Sequence, residues 1–202
     1  RTPMNAILGN VEEGTAHLLL TNSPGSDTVV GDAVNLNVNM GGTLTATFVA
    51  DAPGGGSLSD SGANGIDLTV AGGSSATLNM DMIDSSRNGV ADPMSNGLLF
   101  DVSGGSDLAI NVNDGEFLDN PLANIVGTST GPGSIARLDF NSTNASRTVP
   151  GMVTTDGGLV LDVTGGGVIN SNWSGGLINN TLSDGVRATV MGDDSQIRLN
   201  FD

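Results

Sequence analysis

With 202 residues, 37% of them hydrophobic and none of them Cys, the chain is long enough to bury a core without disulfides and too apolar for a disordered polar tract. Six basic residues, all Arg, face 22 acids for a net charge of −16, which excludes the clustered cations that nucleic acid or an anionic membrane surface requires. No apolar run approaches the roughly 18 residues of a membrane-spanning helix, so no membrane insertion is expected.

In chain order, the first element is hard to place. Thr2–Leu8 holds Met4, Ile7 and Leu8, and Ala16-His-Leu-Leu-Leu20 follows with a period-two reading. From Val34 the pattern becomes regular: Val34-Asn-Leu-Asn-Val38, then Gly41-Gly42, then Leu44-Thr-Ala-Thr-Phe48. The phrase returns as Ile66–Val70, Gly72-Gly73 and Ala76–Met80, and again as Leu98–Val102, Gly104-Gly105 and Leu108–Val112. A weaker copy runs from Ile125 through Gly131 to Ala136-Arg-Leu-Asp-Phe140. Two more follow: Leu159–Val163 with Ile169–Trp173, and Val186–Val190 with Ile197–Phe201. From Val34 the copies start 32, 32, 27, 34 and 27 residues apart.

Each phrase is two alternating strands joined by a Gly-rich bend, and the variable remainder reads as a third short strand plus loops. Inward positions of the second strand are apolar, as in Leu44/Ala46/Phe48 or Leu108/Ile110/Val112. An outward position carries Thr47, Asn79, Asn111, Asp139, Asn172 and Asn200 in successive copies, which predicts a ladder of side-chain amides. A repeat of this length without helical periodicity predicts a solenoid whose like strands pair in parallel. A calcium β-roll is excluded, since its nonapeptides are missing, and an antiparallel sandwich does not require the same internal Gly spacing in every copy.

The Asn-Gly pairs before apolar strands (Asn64-Gly65, Asn96-Gly97) and the Gly-Gly bends resemble those of the right-handed parallel β-helix repeat proteins found among large secreted bacterial proteins. The resemblance implies an all-β, right-handed parallel β-helix of about seven coils, roughly 27–34 residues each, forming one domain over 1–202. The chain opens with Arg1, and it is read as an excerpt or protomer of a longer or stacked solenoid.

Candidate chemistry is sparse. His17, the single histidine, has an outward phase and no nucleophile beside it in sequence. Asp67, Asp101 and Asp162 occupy related places in the first strand and Asp139 lies in the second, and paired carboxylates are the residue types that serve as acid and base in glycoside cleavage. Without Lys, and with Arg scattered, a solvated face is the expectation. Asp84, Ser86, Asn88 and Asp92 place oxygens at alternate positions before and after Gly89, as a calcium loop does, although Ser95 stands where that loop needs an acid. Asp193-Asp194 is a weaker cation candidate. Asx turns are the bland alternative for both. The Thr residues are spread over several columns and do not form an ice-matching array, and the four Asn-x-Ser/Thr sequons match chance.

No capping helix is visible at either end, and the apolar strand Ile197, Leu199, Phe201 runs almost to the last residue. The expectation is therefore a non-catalytic, extracellular or cell-surface structural protein needing no cofactor beyond possible Ca²⁺, with itself as partner, head to tail. The assembling ends would be Met4, Ile7 and Leu8 on one side and Ile197, Leu199 and Phe201 on the other. The alternatives are a β-helix that binds or cleaves cell-surface polysaccharide and an adhesin passenger segment.

Overall fold

The computed structural model describes residues 5–22, 31–51, 56–89, 94–146, 157–179 and 184–202. Every regular element among them is a strand. The first coil holds β1 (Ile7–Glu12) and β2 (Thr15–Thr21), and the second holds β3 (Val34–Asn39), β4 (Thr43–Val49) and β5 (Gly56–Ser57). The third and fourth hold β6 (Ile66–Val70), β7 (Ser75–Asp81) and β8 (Ile83–Asp84), then β9 (Asn96–Ser103), β10 (Asp107–Asn113) and β11 (Glu116–Leu118). After these come β12 (Ala123–Thr130), β13 (Ile135–Asn141) and β14 (Asn144–Ser146), then β15 (Gly157–Thr164) and β16 (Val168–Ser174), and finally β17 (Asp184–Met191) and β18 (Gln196–Phe201).

The strands form three parallel stacks. One seven-stranded sheet runs β1-β3-β6-β9-β12-β15-β17, a second runs β2-β4-β7-β10-β13-β16-β18, and β5-β8-β11-β14 make a third. Val70 pairs with Val102 and Leu78 with Ile110, in parallel and in register, so the chain is a parallel β-solenoid. Seven copies of the two-strand phrase make about six turns, slightly fewer than the seven coils expected.

The segment that was hard to place is a full member: Ile7 pairs with Val34 and Val11 with Val38. Its apolar pattern is broken by Gly9, which faces inward below Leu36 and lies so close that a Cβ there would meet the Leu36 side chain at 2.7 Å. The weak copy at Ile125 has a similar cause. Gly127 stacks beneath Phe100, whose ring is fully buried and fills the space a side chain at 127 would need. A large residue in one coil is thus matched by none in the next.

The bends explain the glycine spacing. Gly72-Gly73, Gly104-Gly105 and Gly165-Gly166 are each two successive residues with positive φ, a conformation that costs glycine nothing. A Ser following the bend turns inward and ties successive coils together. Ser74 Oγ accepts from Gly41 N (3.2 Å), Ser106 Oγ from Ser74 N (3.2 Å) and Ser134 Oγ from Gly105 N (3.1 Å).

The core is one continuous column stack. Phe48, Leu78, Ile110, Leu138 and Phe140 of the second sheet face Leu36, Leu68, Phe100, Ile125 and Leu161 of the first, all buried. Beside this apolar core runs a buried amide ladder that the sequence does not announce. Asn88 Oδ1 accepts from Ser61 N (3.1 Å), Asn120 Oδ1 accepts from Asn88 N (3.0 Å), and Asn120 Nδ2 donates to Asn124 Oδ1 (3.1 Å). The Asn-Gly pairs follow from it. Asn64 Oδ1 accepts from Asn96 N (2.8 Å) in the next coil, and a Cβ at Gly65 would overlap Ser85 Oγ and come within 2.5 Å of Asn88 Nδ2.

Candidate functional site

Three surfaces merit a functional reading: the two ends of the stack, the outer face of the second sheet, and the outer face of the first. At the first coil the strand edges of β1 and β2 are open on one side, and the inward residues Ile7, Val11, Ala16, Leu18 and Leu20 are only partly buried. At the last coil β17 and β18 are open on the other side. Val186, Ile197 and Leu199 are partly buried there, and Phe201 is 51% exposed. A depression of about 420 Å³ opens on this end, lined by Trp173, Gly176, Ile178, Val186, Phe201 and Asp202. Its inner wall is the Trp173 ring, packed on Phe140 with centroids 4.6 Å apart. The sequence-predicted end residues Ile7, Ile197, Leu199 and Phe201 therefore do lie on the terminal coils with their inward phase. Leu8 is on the same strand but faces outward, 71% exposed, because a one-residue step along a strand changes the face. Met4 lies outside the described residues.

The outer face of the second sheet carries the predicted amide ladder. Asn111 Nδ2 donates to Asn79 Oδ1 (2.8 Å), Asn172 Nδ2 to Asp139 Oδ1 (3.1 Å) and Asn200 Nδ2 to Asn172 Oδ1 (2.7 Å). A parallel second ladder was not foreseen: Asn141 donates to Asn113 and Asn113 to Asp81, each at 2.8 Å. Its signal was present as the residue that ends β7, β10 and β13. Shallow depressions of about 490 and 370 Å³ flank the first ladder and share Asn111 and Asp139. Arg137 on this face is bridged to Asp107, and Arg198 donates to Gln196 Oε1 (2.8 Å). His17 is exposed on the same face, in register with Thr45.

On the first sheet the carboxylates do not share one column. Asp101 stacks between Thr69 and Thr128, and Asp162 pairs with Thr128, whereas Asp67 lies in the neighbouring column opposite Leu99. Thr128 Oγ1 donates to Asp101. Asp67 is half-buried, and its carboxyl is pushed up from 3.8 to about 6, first by desolvation and then by the charges of Asp32 and Asp101. The raised value means that the folded state holds a proton between about pH 4 and pH 6 that the unfolded chain has lost. Stability therefore falls as pH rises through that window and stays low above it. Asp67→Asn is expected to stabilise the fold at pH 7 by about 1–2 kcal/mol after allowing for solvent screening, and by much less at pH 4. Urea midpoints at the two pH values check this, and equal gains at both would refute the assignment.

The residues of the predicted calcium loop go to different places. Asp84 sits on the third sheet beside Ser57 and Glu116. Ser86 Oγ accepts from Leu118 N (2.9 Å) and Asn88 belongs to the buried ladder, so both side chains serve coil stacking. Asp92 lies outside the described residues. Among the described residues no group of three or more His, Cys, Asp or Glu side chains is gathered closely enough to hold a metal ion, Asp193 and Asp194 included.

Comparison with protein-family models, with curated proteins and with solved structures finds no match to this chain.

Proposed function

We propose that this chain is a non-catalytic structural protein of a cell exterior, whose copies stack head to tail in a fibre, sheath or surface assembly. One observation carries the reading: each terminal coil presents an open parallel edge and a half-exposed apolar column of the kind that interior coils bury. The occupant that suits both ends is another coil of the same build. A second copy supplies it by continuing the coil-on-coil interface that already repeats along the molecule. Such a contact is heterologous, and it propagates without closing. The extracellular setting rests on the resemblance to secreted β-helix proteins.

Sedimentation velocity and electron microscopy of the purified 202-residue chain test the proposal. The expected result is concentration-dependent growth of unbranched particles, lost when Leu18→Asp or Leu199→Asp puts a charge on one mouth of the core. A monodisperse monomer over a hundredfold concentration range at about 1 M salt, where charge is screened, with the fold intact by circular dichroism, would refute it.

A second reading, polysaccharide binding, is favoured by the two contiguous depressions along the amide ladder of the second sheet. Retardation in polysaccharide-containing gels that is lost in Asn111→Ala would move the assignment there.

A further inference from the structure

The bends between the first and second sheets are neutral throughout the interior of the solenoid. They read Met40-Gly41-Gly42, Gly72-Gly73, Gly104-Gly105, Gly131-Pro132-Gly133 and Gly165-Gly166-Gly167. Only the first and last bends carry charge, and in both it is negative. Glu12 ends β1 and Glu13 opens the first bend, while Asp193 and Asp194 lie in the last; all four are exposed. Within the molecule each bend sits directly on its neighbour: Gly41 N donates to Gly72 O (3.1 Å), Gly73 N to Gly104 O (3.0 Å) and Gly165 N to Met191 O (3.1 Å).

Continuing the internal register across a head-to-tail junction places Ile7 of the next copy on Val186, Ala16 on Ile197, and Glu12 on Met191. Glu13 then lies over the Gly192–Ser195 bend that holds Asp193 and Asp194. Stacked parallel strands are about 4.8 Å apart, so these carboxylates meet at a separation where like charges in low salt repel. Among the described residues the strand register offers no compensating ion pair: Asp184 falls over Asn5, Arg187 over Leu8 and Arg198 over His17. Charged ends are a common way for edge strands to resist pairing.

We infer that the stacking junction carries an electrostatic gate, in which Glu12 and Glu13 of one copy oppose Asp193 and Asp194 of the next and hold assembly back until salt screens them. This rests on the head-to-tail reading and assigns its regulation. Screening lengths of about 30 Å at 0.01 M salt and about 3 Å at 1 M bracket the effect.

The test is the critical concentration for assembly, measured by sedimentation at these two salt levels. Wild type is expected to assemble at high salt and to need at least about tenfold more protein at low salt, the size of two weak surface charge pairs. The variant E12Q/E13Q/D193N/D194N is expected to assemble equally well at both. E12K/E13K is expected to assemble best at low salt, an advantage that vanishes in E12K/E13K/D193N/D194N because the Lys side chains lose their opposing acids. Unchanged salt dependence in the neutral variant, or a Lys advantage that survives removal of Asp193 and Asp194, would overturn the gate while leaving stacking intact. If the neutral variant assembles at neither salt level, the head-to-tail reading itself fails and the gate falls with it.

Discussion

Replacing Asn120 with Ala is expected to lower the unfolding free energy by about 4 kcal/mol, whereas the same change at Asn111 is expected to cost at most about 0.5 kcal/mol. Both residues are rungs of amide ladders with bonds of ordinary length. Asn120 is fully buried: its Oδ1 accepts from Asn88 N (3.0 Å) and Asn88 Nδ2 (3.1 Å), and its Nδ2 donates to Ser85 O (3.1 Å). Truncation strands these partners away from water, and each buried polar group left without a bond costs about 1–3 kcal/mol. Asn111 is exposed, its bond to Asn79 is 2.8 Å, and water replaces it on loss. Urea denaturation of the two variants, compared with wild type, measures the difference. Similar small losses at both sites would show that the interior ladder contributes little.

Gly127→Ala is expected to destabilise by about 3 kcal/mol, at the upper end of what overpacking a core by one carbon costs. The added Cβ would overlap the Phe100 ring, and that ring is enclosed, with no exposed surface and no room to rotate away. Phe100→Leu alone leaves a void and costs about 1–2 kcal/mol. Combining the two fills the void with the new methyl group, so the double variant is expected to be more stable than the sum of the single losses by about 1–2 kcal/mol. Additive losses would mean that the two positions are not partners across the coil step.

That pair also shows why some copies of the repeat were faint. Alternation identifies a strand when each inward residue carries an apolar side chain, and Gly9 and Gly127 carry none. Both are inward positions whose volume is supplied by the coil above or below, a compensation that becomes visible only once Leu36 and Phe100 are stacked against them. Where every inward residue carried an apolar side chain, as in Leu44/Ala46/Phe48 and Leu108/Ile110/Val112, register could be read without coordinates, and the pairing of these strands through β7 follows it. The Asn column at 79, 111, 172 and 200 was equally legible, since it recurs at one phase.

The candidate sites were less legible. Asp84, Ser86 and Asn88 have the spacing of a cation loop, but spacing does not say which way a side chain points. The corner turns Ser86 and Asn88 into the stack, where backbone donors of adjacent coils claim their oxygens. Asp67 and Asp101 looked equivalent because both lie in first strands, yet a two-residue shift within the phrase sets them in adjoining columns.

Local chemistry along the chain was enough to establish a stack of parallel coils, because a period-two pattern with Gly bends at a recurring interval has few other ways to bury its apolar faces. The buried amide ladder, the volume matching between neighbouring coils and the partial burial of the terminal columns depend on which residues sit one coil apart. That distance is about 4.8 Å in space and 27–34 residues along the chain. No local rule spans such a separation, so these features exist only once the coils are stacked.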